Sequence, residues 1–389
     1  YVKTFGGSDN DEGSSIINTT DGGYIITGFT EPSGYGNRDL WLIKIDFEGN
    51  QQWSKTFGGS DNDEGSSIIN TTDGGFLIVG YTENMTRTWL IKTDPDGNEV
   101  WNNTFYHGPN FPVNMGRSVL ETIDGGYIIL GEFETPPGQP GKRGTFIVKT
   151  DSQGNQLWKN RYGSTSTHHV GYSILSNNNN GYFISGFTEK GGGINYFSKD
   201  KLYGGWYFNI DLDGSIYDEN GNELPHSYFH STVTQTGQII FFSSLINRDG
   251  MMIITGDIND QVLLMELDNE NKTVSFSKKY DDGVRSVNVG KSVQQTIDGG
   301  YIITGLGNLR RPEGSGNSLE GYGDLLLIKT DSFGNEEWRK YFGGNDWDEG
   351  SSVQQTIDGG YIITGYTKSF GNGNSDLLLI KTDSEGNIE

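Results

Sequence analysis

The sequence predicts an all-β fold, a seven-bladed β-propeller of four-stranded antiparallel blades, on three observations. The 389-residue chain repeats itself seven times, with a period of roughly 56 residues against the ~40–50 usual for propeller repeats. Each copy breaks into four short strand-like pieces joined by Gly- and Asn-containing turns. The last copy stops just before its fourth piece, and residues 1–7 (YVKTFGG) read like that piece in the second copy (WSKTFGG, 53–59).

The repeat is plainest in residues 1–31, 53–83 and 338–367, and its central turn can be followed through weaker copies. It reads Asp21-Gly22-Gly23, Asp73-Gly74-Gly75, Asp124-Gly125-Gly126, Asn180-Gly181, Asp249-Gly250, Asp298-Gly299-Gly300 and Asp358-Gly359-Gly360. In the last copy GSSVQQT (350–356), YIITGYT (361–367) and DLLLIKTD (376–383) are the first three strands. Asp-Gly-Gly joins the first pair. D-x-x-G-N joins the third strand to the fourth, since Gly and Asn accept the positive φ that tight β turns demand. Runs such as Leu377–Ile380 are apolar without alternation, as expected of strands covered on both faces. Four-stranded units that need covering on both sides fit a propeller, where each blade packs between two others. An open stack is the alternative, and it needs polar caps at its ends. The N-terminal strand is therefore expected to close the last blade, in cis or from a neighbouring molecule. Counted as one domain, the copies run about 1–52, 53–100, 101–157, 158–224, 225–274, 275–337 and 338–389. The fourth and fifth are the most degenerate, and Asp211–Gly221 offers two turns for one.

Composition agrees. Gly numbers 59, about twice the usual ~7% share, and 20 Tyr, 20 Phe and 8 Trp are too many aromatics for a disordered chain. Cys is absent, which excludes disulfides, thiolate metal sites and cysteine nucleophiles. A net charge of −23 argues against a nucleic-acid partner, and no apolar run reaches the ~18 residues of a membrane span.

The spacing D-x-x-G-x-x-x-W recurs at Asp46/Gly49/Trp53, Asp94/Gly97/Trp101, Asp151/Gly154/Trp158 and Asp331/Gly334/Trp338. It resembles the tryptophan-docking repeat of the quinoprotein-like (PQQ-like) propellers, and more distantly propellers of the WD40 type. The whole unit, with its DGGYIITG core, is similar to repeats of secreted and cell-surface propeller proteins. The resemblance implies the fold and an extracellular or cell-surface setting. It carries no catalytic residue across, and a widely shared fold does not fix an activity.

In a propeller both tight turns fall on one rim, so the variable connections share the other, where function is expected. Insertions at 132–144, 188–205 and 306–323 bring Tyr196, Tyr203, Trp206 and Tyr322 forward as candidate ligand-binding aromatics, with packing in a strand as the alternative for Trp206. An acidic loop recurs as GGSDNDEG and GGNDWDEG, placing Asp9, Asp11 and Glu12, then Asp61, Asp63 and Glu64, then Asp346, Asp348 and Glu349 as candidate calcium ligands. Alternating carboxylates on a Gly-flanked turn supply hard oxygens, although the calcium-hand spacing is missing and carboxylates that cap a loop are the simpler reading. Five N-x-S/T sequons (Asn18, Asn70, Asn84, Asn102, Asn271) are candidate glycosylation sites. His226 and His230 are about 13 Å apart on an extended chain, too far for one metal, and His168-His169 alternate across a strand. Glu132 and Glu134 share a face if extended and are the one carboxylate pair suited to glycosidic acid/base chemistry.

Two functions are carried forward. The first is a non-enzymatic extracellular surface protein for adhesion, binding or assembly, whose partner is a protein, a glycan or copies of itself. The second is a carbohydrate-binding or carbohydrate-active protein with its site on the inserted loops. Calcium is the one candidate cofactor, and neither nucleic acid nor direct membrane insertion is expected.

Overall fold

The computed structural model is an all-β, seven-bladed β-propeller of antiparallel sheets. It describes residues 1–31, 37–106, 108, 112–134, 143–162, 168–177, 181–190, 202–217, 223–224, 239–268, 273–283, 286–310 and 322–388. The first blade shows the plan, with strands Asp11–Asn18, Tyr24–Thr30, Asp39–Ile45 and Gln51–Phe57 paired in that order. The second, third, fifth and sixth blades repeat it over 64–105, 113–162, 239–280 and 286–342. In the fourth blade three strands (168–211) are described, followed by the two-stranded pair Ile216–Tyr217 and Glu223–Leu224. Of the two turns that 211–221 offered, the first is the D-x-x-G turn, closed by Gly214 N–H to Asp211 C=O at 3.2 Å. The chain forms two compact units, one of residues 1–60 with 242–389 and one of residues 61–241.

The seventh blade takes its fourth strand from Val2–Phe5, which pairs antiparallel with Asp376–Thr382 (Val2 opposite Ile380, Phe5 opposite Leu377). Tyr1 N donates to Lys381 O at 2.9 Å, and Lys381 N returns a 2.8 Å bond to Tyr1 O. Closure is in cis. Repeats counted from the Trp position therefore run one strand ahead of the sheets, because that strand ends one blade and the rest begin the next. Second and third strands are buried along nearly their whole length, whereas fourth strands alternate exposed and half-buried residues. The apolar runs belong to strands covered on both faces, and the alternating strands face water.

A buried lysine pins the Asp-Gly-Gly turn in five blades. Lys44, Lys92, Lys149, Lys329 and Lys381, on third strands, are all buried. They reach Asp21, Asp73, Asp124, Asp298 and Asp358 at 2.5–2.9 Å. Lys149 Nζ also donates to the Thr150 carbonyl at 2.9 Å, and Lys92 and Lys329 repeat this bond. The carboxylate meanwhile accepts the turn's own Gly N–H and a Thr hydroxyl, as Asp124 does from Gly126 and Thr122. Burial alone would raise these carboxyls. The Lys ammonium, Thr hydroxyl and Gly N–H outweigh it and pull Asp21, Asp124 and Asp298 down to about 2. At Asp73 the Thr71 hydroxyl leads, to the same value. The degenerate blades lose the lysine. Asn209 stands there in the fourth, and Glu266 in the fifth, bonded to Asn247 and Tyr301.

A second device joins neighbouring blades. The fourth-strand aromatic of one blade lies on the glycine of the next blade's D-x-x-G-N turn: Trp101 on Gly154, Trp158 on Gly214, Phe276 on Gly334, Trp338 on Gly386 and Tyr1 on Gly49. A Cβ on Gly154 would sit 2.5 Å from the Trp101 ring, and its φ of +77° is itself unsuited to a side chain. A third device lies on the same rim, at the C-terminal end of the first strand. Gln355 accepts Ile297 N–H at 2.8 Å from the previous blade's turn, Gln295 accepts Arg248 N–H at 3.0 Å, and Glu121 accepts Thr72 N–H at 2.9 Å.

These devices set two expectations. The Asp groups titrate lower folded (about 2) than unfolded (about 4), so their stabilisation is complete above pH ~4 and lost as pH falls towards 2. Urea midpoints should fall over that window. Asp124→Asn, which strands a buried ammonium, should cost about 1–3 kcal/mol at pH 7 and show a shallower acid loss than wild type; parallel acid profiles would contradict the brace. Gly154→Ala should cost about 2–4 kcal/mol by the same assay, from overpacking plus backbone strain.

Candidate functional site

The residue after the second-strand glycine shows where the repeat departs from its own pattern. It is Phe29, Tyr81, Phe187, Leu306 and Tyr366 in five blades, but Glu132 in the third and Asp257 in the fifth. Both carboxylates are buried, Glu132 to 1% exposure. Burying a carboxylate is costly unless it is paired, so these positions are not explained by packing.

Glu132 lies between Met115 and Thr145 in the sheet register, on the same face as Glu134 two residues on. The sequence expectation of a shared face thus holds. Arg117, placed at the bulge between Gly116 and Ser118, reaches Glu132 at 2.6 Å. Arg143, opposite Glu134, approaches Glu132 at 3.6 Å and Glu134 at 3.4 Å. The Arg117 guanidinium also stands 5.4 Å from the Tyr172 ring of the fourth blade. Arg143 N–H donates to His168 Nδ1 at 3.1 Å, which leaves Nε2 to carry the proton of a neutral ring. Next to it, burial above all pushes His169 down to about 4, and its Nδ1 meets the Thr188 hydroxyl at 2.8 Å. Glu132 Oε2 is buried with no hydrogen-bond partner. Both carboxylates are already engaged by Arg143, so the pair nominated for acid/base chemistry is built as an ion-pair network. What this arrangement offers a ligand is the partly exposed guanidinium groups of Arg117 and Arg143, held in place by the buried Glu132.

The acidic loops separate their side chains. Asp11, Asp63 and Asp348 are buried. Asp11 accepts Gly7 N–H at 2.8 Å and the Thr30 hydroxyl, and Asp348 accepts Gly344 N–H at 2.9 Å with the Ser369 and Thr367 hydroxyls. Asp63 accepts Glu83 N–H at 3.3 Å. Burial, helped by the charge of Asp376, raises the Asp11 carboxyl. Asp9 turns to Ser8, Asp61 to Asn84 and Asp346 to Trp347 N–H. Glu64 accepts the Tyr81 hydroxyl and Glu349 pairs with Lys291, while Glu12 lies opposite Phe29 on its strand. Among the described residues no three His, Cys, Asp or Glu side chains converge to hold a metal; the calcium expectation meets a set of loop clasps.

Trp206 is corrected outright: it is 1% exposed and stacks on Phe208 at 5.3 Å within a core with Tyr182 and Ile184. Pairing with Gly186 brings it into the sheet, where a Cβ on that glycine would lie 2.7 Å from the indole. Tyr322 is 56% exposed. Tyr196, Asn271, His226, His230 and the Tyr203 side chain lie outside the described residues. Asn18, Asn70, Asn84 and Asn102 are exposed. Three of them serve local bonds: Asn18 to Gln355 O, Asn84 to Asp61, and Asn102 between Trp89 and Glu99. Sequence reading found Glu132 through its neighbour Glu134; it missed Arg117 and Arg143, which become visible only when copies are aligned on the bulge.

No family model and no curated protein matches the chain. Solved structures do. A catalytically inactive virginiamycin B lyase from Staphylococcus aureus, with quinupristin, is 10% identical at a TM-score of 0.53 over 97% of this chain and 98% of that one. The Dos1 propeller is 10% identical at 0.51, over 97% and 95%. Sqt1 from Chaetomium thermophilum is 9% identical at 0.50, over 94% and 83%. These likenesses are of fold alone.

If the ion-pair network is not kept for stability, a double variant will show it. Arg117→Met alone should cost about 1–3 kcal/mol by leaving Glu132 short of a partner. Arg117→Met combined with Glu132→Tyr, the residue other blades use, should return to within about 1 kcal/mol of wild type in urea unfolding.

Proposed function

We propose that this propeller is a non-enzymatic binding module, acting outside the cell or on its surface, that captures its ligand on the face bearing the inserted loops. One observation carries the reading: the third blade gives up a buried aromatic for Glu132, surrounds it with Arg117, Arg143, His168 and Tyr172, and leaves one carboxylate oxygen without a hydrogen bond. Rigid strands set these groups, which suits selective binding. The outward setting rests on the resemblance of the repeats to those of secreted propellers and on the strong negative charge. Within one chain Val2–Phe5 completes its own seventh blade.

A carbohydrate ligand is the second reading. Its support is Tyr322, exposed at the edge of an inserted stretch, together with an Arg–Glu set able to bond hydroxyl groups. The test is equilibrium binding to arrays of defined glycans and of defined acidic, basic and neutral peptides, with wild type, Arg143→Ala and Glu132→Gln. Saturable binding weakened about tenfold or more in both variants is expected. Equal binding by all three proteins removes this face from the function, and signal confined to peptides removes the carbohydrate reading.

A further inference from the structure

At the other end of the strands, the turn regions of the first, sixth and seventh blades line an open cavity of ≈ 640 Å³. This is within the ~300–1,000 Å³ range of small-ligand sites. We propose that it is a second binding site, independent of the inserted loops, for a short neutral oligosaccharide.

Three features of the wall select that chemistry. The first is charge. Among the described residues no Lys or Arg lines the cavity, so nothing there matches an anion. The one carboxylate among its described lining residues, Asp21, is engaged by Lys44, Thr19 and Gly23 N–H, so little is left to hold a free cation. The second is a fixed array of neutral polar groups. Gln294 donates to Gln354 and accepts Gln355 N–H, both at 2.5 Å, and Gln355 accepts Ile297 N–H, so these amides are held in place by the fold. Tyr24, 2% exposed, lines the same cavity with its hydroxyl buried and without a hydrogen-bond partner. Such a buried orphan is unusual in a native fold and calls for an explanation; a ligand hydroxyl would supply the missing bond. The third is apolar surface beside the polar groups. Ile297 and Ile357 line the cavity yet stand 68% and 87% exposed. A sugar ring, with hydroxyls at its edge and C–H groups on its faces, carries that same mixture without net charge.

The experiment uses the full chain with ¹³C-labelled isoleucine δ-methyls, titrated with maltotriose, xylotriose and N,N′-diacetylchitobiose. Saturable shifts of the Ile297 and Ile357 methyls with at least one sugar are expected, with Ile123, at the same turn position in the third blade, unmoved. Tyr24→Phe removes only an unpartnered hydroxyl, so it should leave the fold intact while weakening binding about three- to tenfold. Glu132→Gln should leave these shifts unchanged, which separates this site from the inserted-loop face. No shift at either methyl up to about 10 mM sugar, or shifts indifferent to Tyr24→Phe, overturns the proposal.

Discussion

A lysine ammonium taken out of water, and the aspartate that answers it, is the constraint on which each regular blade is organised. Desolvating an ammonium is expensive, so the third strand can end in Lys only where something meets it. Here the Asp of the first turn and the next residue's carbonyl meet it together, while a Thr hydroxyl donates to that Asp. The pairing spans the first turn and the third strand of one sheet, and so fixes how the hairpin sits on the strand beyond it. The aspartate is half-exposed while the lysine is not, so the turn tip stays wet and the strand end stays dry.

Much of the fold was legible because these devices are local. T-x-D-G-G and D-x-x-G-N mark turns whose chemistry resides in the residues named, and unbroken apolar runs against alternating ones separated covered strands from the fourth strand. Asp21 through Gly23 and Asp46 through Asn50 can be read without knowing what lies beside them. The braces were less legible. Lys44 looks like an ordinary surface residue after an apolar run, and only its burial gives its role away.

The candidate site was legible only in part, for a physical reason. Glu132 and Glu134 stand out by spacing, but Arg117 comes from another strand and Arg143 from beyond an insertion, so their meeting depends on sheet register. Trp206 misled for the opposite reason. An aromatic beside glycines reads as a display surface, yet the glycine opposite it makes room for its ring in the core. The acidic loops look like cation ligands when read as strings of carboxylates. In space the second acid of each turns inward, Asp11 and Asp348 to clasp their own loops and Asp63 to take Glu83 N–H, and its companions follow separate partners.

The division between braces inside a blade and contacts between blades has one more consequence. Lys–Asp pairs close within a single copy, whereas the aromatic-on-glycine docking recurs at five seams and the Gln/Glu clamp at three, each with matching male and female halves. Copies built this way are interchangeable parts. Duplicating or swapping one leaves both of its seams compatible, which accounts for near-identical segments at 1–31 and 53–83 persisting side by side. The fourth and fifth copies, with Asn209 and Glu266 where the others carry lysine, have left that exchange and are free to specialise.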